Sequence, residues 1–138
     1  MAFPHIRHCI VCEDIRIERG NKATILGYYG ITPDVRIGIL EFEKPLNRLM
    51  FMFIGAEGEG KFKTGIRILN PQGKEQKQLP ALELDLAVGH EKNSNIAIGL
   101  QNYQFHDLGR HRIQLIVDDE IKYETTVDIY KGSPADLN

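Results

Sequence analysis

Apolar and polar residues alternate with a period of two along most of the chain, and no window carries an apolar stripe at the helical period of 3.6. The pattern predicts strands. The first runs from His5 to Glu18, apolar on both faces at Cys9-Ile10-Val11-Cys12 and alternating afterwards through Ile15 and Ile17. Arg19-Gly20-Asn21-Lys22 has turn chemistry, because Gly20 and Asn21 tolerate positive φ, so the next strand returns from Ala23 to about Ile31 as a hairpin. Within it Ile25 and Tyr29 share one face, Leu26 and Tyr28 the other, and Gly27 and Gly30 predict bulges or close backbone approach.

Thr32-Pro33-Asp34 then turns the chain into Val35, Ile37 and Ile39, and Lys44-Pro45 ends that strand because proline has no amide to give a ladder. Leu49–Ile54 is continuously apolar and predicts a central strand buried on both faces. Phe62, Thr64, Ile66 and Ile68 alternate with Lys61, Lys63 and Arg67, and Asn70-Pro71-Gln72-Gly73 is a strong turn. A polar stretch to Pro80 precedes a strand at Leu82, Leu84, Leu86 and Val88; Gly89 to Asn95 reads as a loop. Ile96, Ile98 and Leu100 open a strand that extends toward Phe105, and Gly109 opens one carrying Ile113, Leu115 and Val117. Asp118-Asp119-Glu120 leads into Ile121, Tyr123, Thr125, Val127 and Ile129, all read as inward, and Ser133-Pro134 as the start of one helical turn. About nine strands joined by turns predict an all-β fold, an antiparallel β-sandwich of about 8–9 strands, immunoglobulin-like or C2-like, with a small barrel as the alternative.

Composition narrows the function classes. The 138 residues suit one domain, 1–138, with 132–138 as a frayed tail. A net charge of −2 gives no general attraction to nucleic acid or anionic lipid. No apolar run reaches the ~18 residues of a membrane span, and the start of the chain lacks the pattern of a secretory signal. Cys9 and Cys12 point to opposite faces of one strand and do not bridge, so the expected setting is cytoplasmic, with reduced thiols.

Several constellations imitate chemistry. Gly55-Ala-Glu-Gly-Glu-Gly60-Lys61 has the glycine and lysine spacing of a phosphate-binding loop. However, Phe62 replaces the hydroxyl that would hold magnesium, Glu57 and Glu59 repel phosphate, and the following alternation is a strand rather than a helix, so the stretch reads as a glycine-rich hairpin loop. His5, His8, Cys9 and Cys12 are metal-ligand types, yet a strand rising ~3.3 Å per residue spreads them too far for one ion. Glu13-Asp14 and Asp118-Asp119-Glu120 lack the spacing of a dedicated calcium loop. Lys61, Lys63 and Arg67, with Arg110 and Arg112, form a potential anion stripe that also reads as protection of a strand edge. Tyr28, Tyr29, Tyr103 and Phe105 are candidates for stacking on a sugar, without a tryptophan to support them. His106, Asp107 and His111 surround a glycine and are the only acid–base grouping to weigh for catalysis. None of these is assigned as a catalytic, cofactor or metal site.

The opening Cys12-Glu13-Asp14-x-Arg16-x-Glu18, the Gly20-Asn21-Lys22 turn and Ile25-Leu26-Gly27-x-Tyr29-Gly30 resemble the start of a family of small bacterial all-β domains of unknown function. Gly109 before a strand, the Asp118-Asp119 hairpin and the final alternating strand look similar as well. The resemblance implies a sandwich in a bacterial cytoplasm and carries no functional residues. The expected role is therefore a non-catalytic protein-interaction or assembly module, binding a protein partner or a second copy of itself. The alternative is a β-domain for a small ligand, carbohydrate or metal. The candidate surface is Glu13, Asp14, Arg16, Tyr28, Tyr29 and Tyr103, with an Asp14–Arg16 ion pair locking the hairpin as the structural account of the polar cluster.

Overall fold

The computed structural model describes residues 3–20, 22–39, 45–79, 82–86 and 94–132. Among the described residues there are ten strands and no helix: β1 (His5–Ile17), β2 (Ala23–Ile31), β3 (Val35–Ile39), β4 (Leu46–Ala56), β5 (Gly60–Leu69), β6 (Glu75–Gln78), β7 (Leu82–Leu86), β8 (Ser94–Tyr103), β9 (Gly109–Val117) and β10 (Glu120–Lys131). They form a four-stranded sheet, β2-β1-β4-β8, and a six-stranded sheet, β3-β10-β9-β5-β6, with β7 also pairing with β5. The fold is a β-sandwich. With β4 beside β8 in one layer and β5, β9 and β10 together in the other, the division of strands is that of immunoglobulin domains.

The core lies where the alternating faces meet. Cys9, Val11, Leu49, Phe51, Phe53, Ile96 and Leu100 come from the smaller sheet; Ile37, Ile66, Ile68, Ile113, Leu115, Val127 and Ile129 come from the larger. The turns follow their chemistry. Gly20 has φ 80° under a Glu18 N–H to Lys22 C=O bond of 2.8 Å. The Asn70 side chain accepts from the amides of Gln72 and Lys74 at 3.0 and 2.8 Å, and Asp118 and Asp119 take φ of 48° and 68° to reverse β9 into β10.

Four expectations are corrected. The sandwich has ten strands rather than eight or nine, because β6 has an all-polar sequence, Glu75-Gln-Lys-Gln78, that alternation cannot reveal. It is held by its backbone to β5 from Arg67↔Gln78 to Leu69↔Glu75. It is not wholly antiparallel: β3 runs parallel to β10 from Val35↔Val127 to Ile39↔Lys131. A parallel pair needs a long connection, and the chain between Ile39 and Glu120 supplies it. Ile121 is exposed, not inward, because the β9–β10 register slips between Ile121 and Tyr123. The glycine-rich Gly55–Lys61 stretch is no hairpin within a sheet; it carries the chain from β4 in one layer to β5 in the other, with Gly58 against Pro4. Lys44, Val88 and the Ser133-Pro134 turn lie outside the described residues.

Candidate interaction surface

The two outward faces of the sandwich have opposite chemistry. On the six-stranded sheet the basic side chains predicted as an anion stripe are interleaved with acids and amides. Arg110 pairs with Asp128 at 3.2 Å, Arg112 with Glu124 at 3.8 Å and Lys122 with Glu120 at 3.0 Å. Arg67 donates to Gln114 at 2.7 Å, and Arg36 lies 4.5 Å from the Tyr130 ring centre. This face is a solvated, charge-balanced surface.

The four-stranded sheet differs. Residues opposite one another on paired strands share a face. Ile31, Ile10, Met52 and Ala97 therefore form one row across the outer side, and Tyr28, Cys12, Met50 and Gly99 the next. The apolar run Leu49–Ile54 thus has two destinations: Leu49, Phe51 and Phe53 enter the core, whereas Met50, Met52 and Ile54 lie outside it. The expectation that this strand is buried on both faces holds fully on the core side and in part on the other, where Met52 is 8% exposed and Met50 and Ile54 are half-buried although no described layer covers them. Met50 Sδ fills the space that a side chain at Gly99 would need. Leu26, Tyr28 and Ile31 are 38%, 58% and 44% exposed. Asp14, Arg16 and Arg48 border this patch at one end and His8 at the other.

The hairpin end of this sheet opens into a cleft. β1 pairs with β4 only as far as Cys12↔Met50, whereas β1 and β2 stay paired to Ile17↔Ala23, so the hairpin separates from the start of β4. The resulting cleft of about 620 Å³ is lined by Glu13, Asp14, Leu26, Tyr29, Leu46 and Arg48 among others. The predicted Asp14–Arg16 pair is not made. Asp14 bonds instead to Arg48 at 3.0 Å and accepts from the Ile15 amide at 2.8 Å, while Arg16 is exposed with no ion-pair partner among the described residues. The partner is thirty-four positions away, and no local pattern signals it. Gly27, at φ 61°, lies over Glu13, whose side chain would be 2.5 Å from an added Cβ. Burial pushes the Tyr29 hydroxyl above its ordinary range, with the Glu13 carboxylate adding to the shift.

Of the six candidates, Asp14, Arg16 and Tyr28 lie on the outer face, and Glu13 and Tyr29 line the cleft with Asp14. Tyr103 belongs to neither. It is 8% exposed inside the sandwich, 4.8 Å from the Phe105 ring, with its hydroxyl pushed up to about 12 by burial. Leu26, Ile31, Met50 and Met52 were missed, because single apolar residues announce nothing until strand pairing assembles them.

The remaining constellations resolve into structure. Cys9 and Cys12 are free and buried on opposite sides of the sheet, the Cys9 thiol pushed up to about 12 chiefly by burial. His111 is buried in the core, whereas His106 is exposed. Asp118 accepts from the Lys63 amide at 3.0 Å, tying the acidic β9–β10 turn to β5. Among the described residues there is no group of three His, Cys, Asp or Glu side chains suited to a metal, and no helix long and apolar enough to cross a membrane.

No curated protein matches the chain. Among solved structures it is similar to an immunoglobulin-like protein from Pseudomonas aeruginosa, at 12% identity and a TM-score of 0.40, covering 91% of this chain and 98% of that one. It is also similar, over 72% of its length at 18% identity and a TM-score of 0.46, to the Pseudomonas fluorescens alkylpurine DNA glycosylase AlkC bound to DNA containing an abasic-site analogue. This chain spans 28% of that glycosylase's length. At these values neither likeness transfers an activity or a ligand. A family model matches residues 44–130, leaving Cys12–Gly30 outside the match, and the chain belongs to that family of unknown function, DUF6941.

Proposed function

We propose that the chain is a non-catalytic interaction module that holds a protein partner on the outer face of its four-stranded sheet. The contrast between the two outer faces carries this reading. One is closed by ion pairs, whereas the other presents exposed Leu26, Tyr28 and Ile31 beside half-buried Met50 and buried Met52, inside a border of Asp14, Arg16, Arg48 and His8. An apolar centre within a polar rim is the composition of a protein interface, and contiguous exposed apolar patches mark such sites. The two methionines supply flexible, polarisable side chains that adapt to a partner. Among the described residues no cluster of cations sits on the patch, which argues against a nucleic-acid backbone as its ligand. The two unpaired buried thiols support a reducing, cytoplasmic setting.

A photo-crosslinking amino acid placed at Tyr28 in cells should capture a discrete protein, whereas the same probe at Tyr130, on the opposite face, should not. Absence of an adduct at Tyr28, or identical adducts at both positions, overturns the reading.

A second reading rests on the hairpin cleft, whose volume of about 620 Å³ suits a small ligand. A melting screen against sugars and small organic acids tests it. A compound that raises the melting temperature of the native chain but not of Arg48→Ala supports the cleft; no shift with any compound removes it.

A further inference from the structure

The edges of the two sheets are not equally protected. β3 and β7 have five residues each and β6 four, and β6 carries Glu75 and Lys77. β2 is broken by the irregularity opposite Val11 and Cys12 and by the positive-φ glycines 27 and 30. β8 has none of these devices before its last two residues, where Asn102 takes φ 53°. It is ten residues long, Ser-Asn-Ile-Ala-Ile-Gly-Leu-Gln-Asn-Tyr, with no charge and no proline. Its register with β4 is unbroken from Gly55↔Ser94 to Arg48↔Gln101. Among the described strands β8 is hydrogen-bonded to β4 alone, so its other edge offers backbone donors and acceptors. Natural sheets protect such edges with charge, proline, bulges or shortness, and an edge without them is a template for another strand.

A second feature converges on the same edge. Between β8 and β7 the two layers gape around an apolar groove of about 200 Å³, lined by Leu79, Leu82, Leu84, Ile96 and Ile98. Leu82 is 74% exposed there, the largest exposure among the large apolar side chains of the described residues.

We propose that β8 pairs with β8 of a second copy, antiparallel about a two-fold axis at Ile98, joining two four-stranded sheets into one of eight strands. The sequence selects the occupant. With Ile98 opposite its own mate, Ile96 meets Leu100, Ala97 meets Gly99 and Asn95 meets Gln101, each pair formed twice. Apolar meets apolar on the core-facing side, small meets small on the outer side, and amide meets amide at the ends. A two-fold contact must be self-complementary in this way, and an uncharged strand opposes itself without repulsion. A foreign strand needs no such internal symmetry. The pairing places the partner's Ile96 and Ile98 beside the Leu82–Leu84 side of the groove, and it makes the two Met50–Met52 patches continuous. It rests on the reading of the chain as an interaction module, but not on occupancy of the outer face.

The full chain should therefore sediment at about twice its 15.7 kDa at micromolar concentration. Directly opposed residues in an antiparallel pair have Cα atoms ~4.5–5.5 Å apart, within disulfide reach. Ile98→Cys should thus crosslink to its mate under mild oxidation. Asn95→Cys should not, because six positions separate it from its own mate, roughly 20 Å along the strand. Asn95→Lys with Gln101→Lys opposes like charges twice and should weaken the dimer about tenfold. Asn95→Asp with Gln101→Lys opposes unlike charges and should restore it, with equal melting temperatures at low concentration showing that both variants fold. A monomer at every concentration overturns the proposal. So does equal crosslinking at positions 95 and 98, or equal weakening by the two charge pairs. If the chain is monomeric while the Tyr28 probe still captures another protein, the dimer falls and the outer-face reading stands; if a dimer forms without a Tyr28 adduct, the reverse holds.

Discussion

His111 shows what the fold does to a single ionisable residue. Its ring is fully buried, 5.1 Å from the Phe105 ring, with Nδ1 3.0 Å from the Gly109 carbonyl and Nε2 unpartnered. A carbonyl only accepts, so Nδ1 carries the proton and Nε2 is bare. Burial lowers the affinity of this ring for a second proton, outweighing the Gly109 carbonyl and the carboxylates of Asp107 and Asp128, which pull the other way. The folded value therefore lies below the ordinary 6.5. Above 6.5 both folded and unfolded rings are neutral and nothing changes. Below it the unfolded chain takes up a proton that the folded chain refuses, so stability falls with pH until the folded value is reached. Urea midpoints measured from pH 7 down to about 5 should decline for the native chain and stay flatter for His111→Phe, which keeps the ring packing. Equal slopes would refute the assignment. Burial has a parallel effect on the thiols: neither Cys9 nor Cys12 should react with an aromatic disulfide reagent in native buffer, and both should react in denaturant. None of this was legible in the sequence, where His111 looked like half of an acid–base pair with His106. Only strand pairing shows that one ring turns inward while the other stays wet.

At the scale of elements, the β1–β2 hairpin was the most legible part. Its strand ends, its Gly20 turn and the division of Tyr28 from Tyr29 between two faces all followed from alternation and from which residues accept positive φ. Its tie to the rest of the molecule was not, because Arg48 reaches Asp14 across a distance in sequence that no local rule spans. The hairpin offers an internal comparison of two glycines. Gly20 has φ 80° and nothing within 4 Å of an added Cβ; Gly27 has φ 61° and Glu13 at 2.5 Å. Gly20→Ala should cost about 1–2 kcal/mol from backbone conformation alone. Gly27→Ala should cost a further ~1–3 kcal/mol, because the strand-borne Glu13 Cβ must move as well. Chemical denaturation reads the difference, and equal losses would show that Glu13 simply swings aside. β6 marks the opposite limit: four polar residues at an edge have no pattern to detect, and only a partner's backbone makes them a strand.

For the whole molecule, the sandwich was legible because inward positions recur at period two in nearly every strand. Which sheet face stays open was not, because that depends on the order in which strands lie side by side. If two copies join at β8, dimerisation stabilises the fold by mass action, and the melting temperature should rise by several degrees between about 1 and 100 μM chain. A melting temperature independent of concentration would mean that the edge stays unpaired. The parallel pairing of β3 with β10 has another consequence, one of timing. β3 is complete at Ile39, yet the strand it leans on ends at Lys131. At about 5–20 residues per second a ribosome needs roughly 5–20 s to make the intervening chain. Throughout that interval the nascent chain can close the β1–β2 hairpin but cannot complete the larger sheet. Its folding must therefore finish after the last strand has left the tunnel, and a stop codon only a few residues before Lys131 would leave β3 without the strand that holds it.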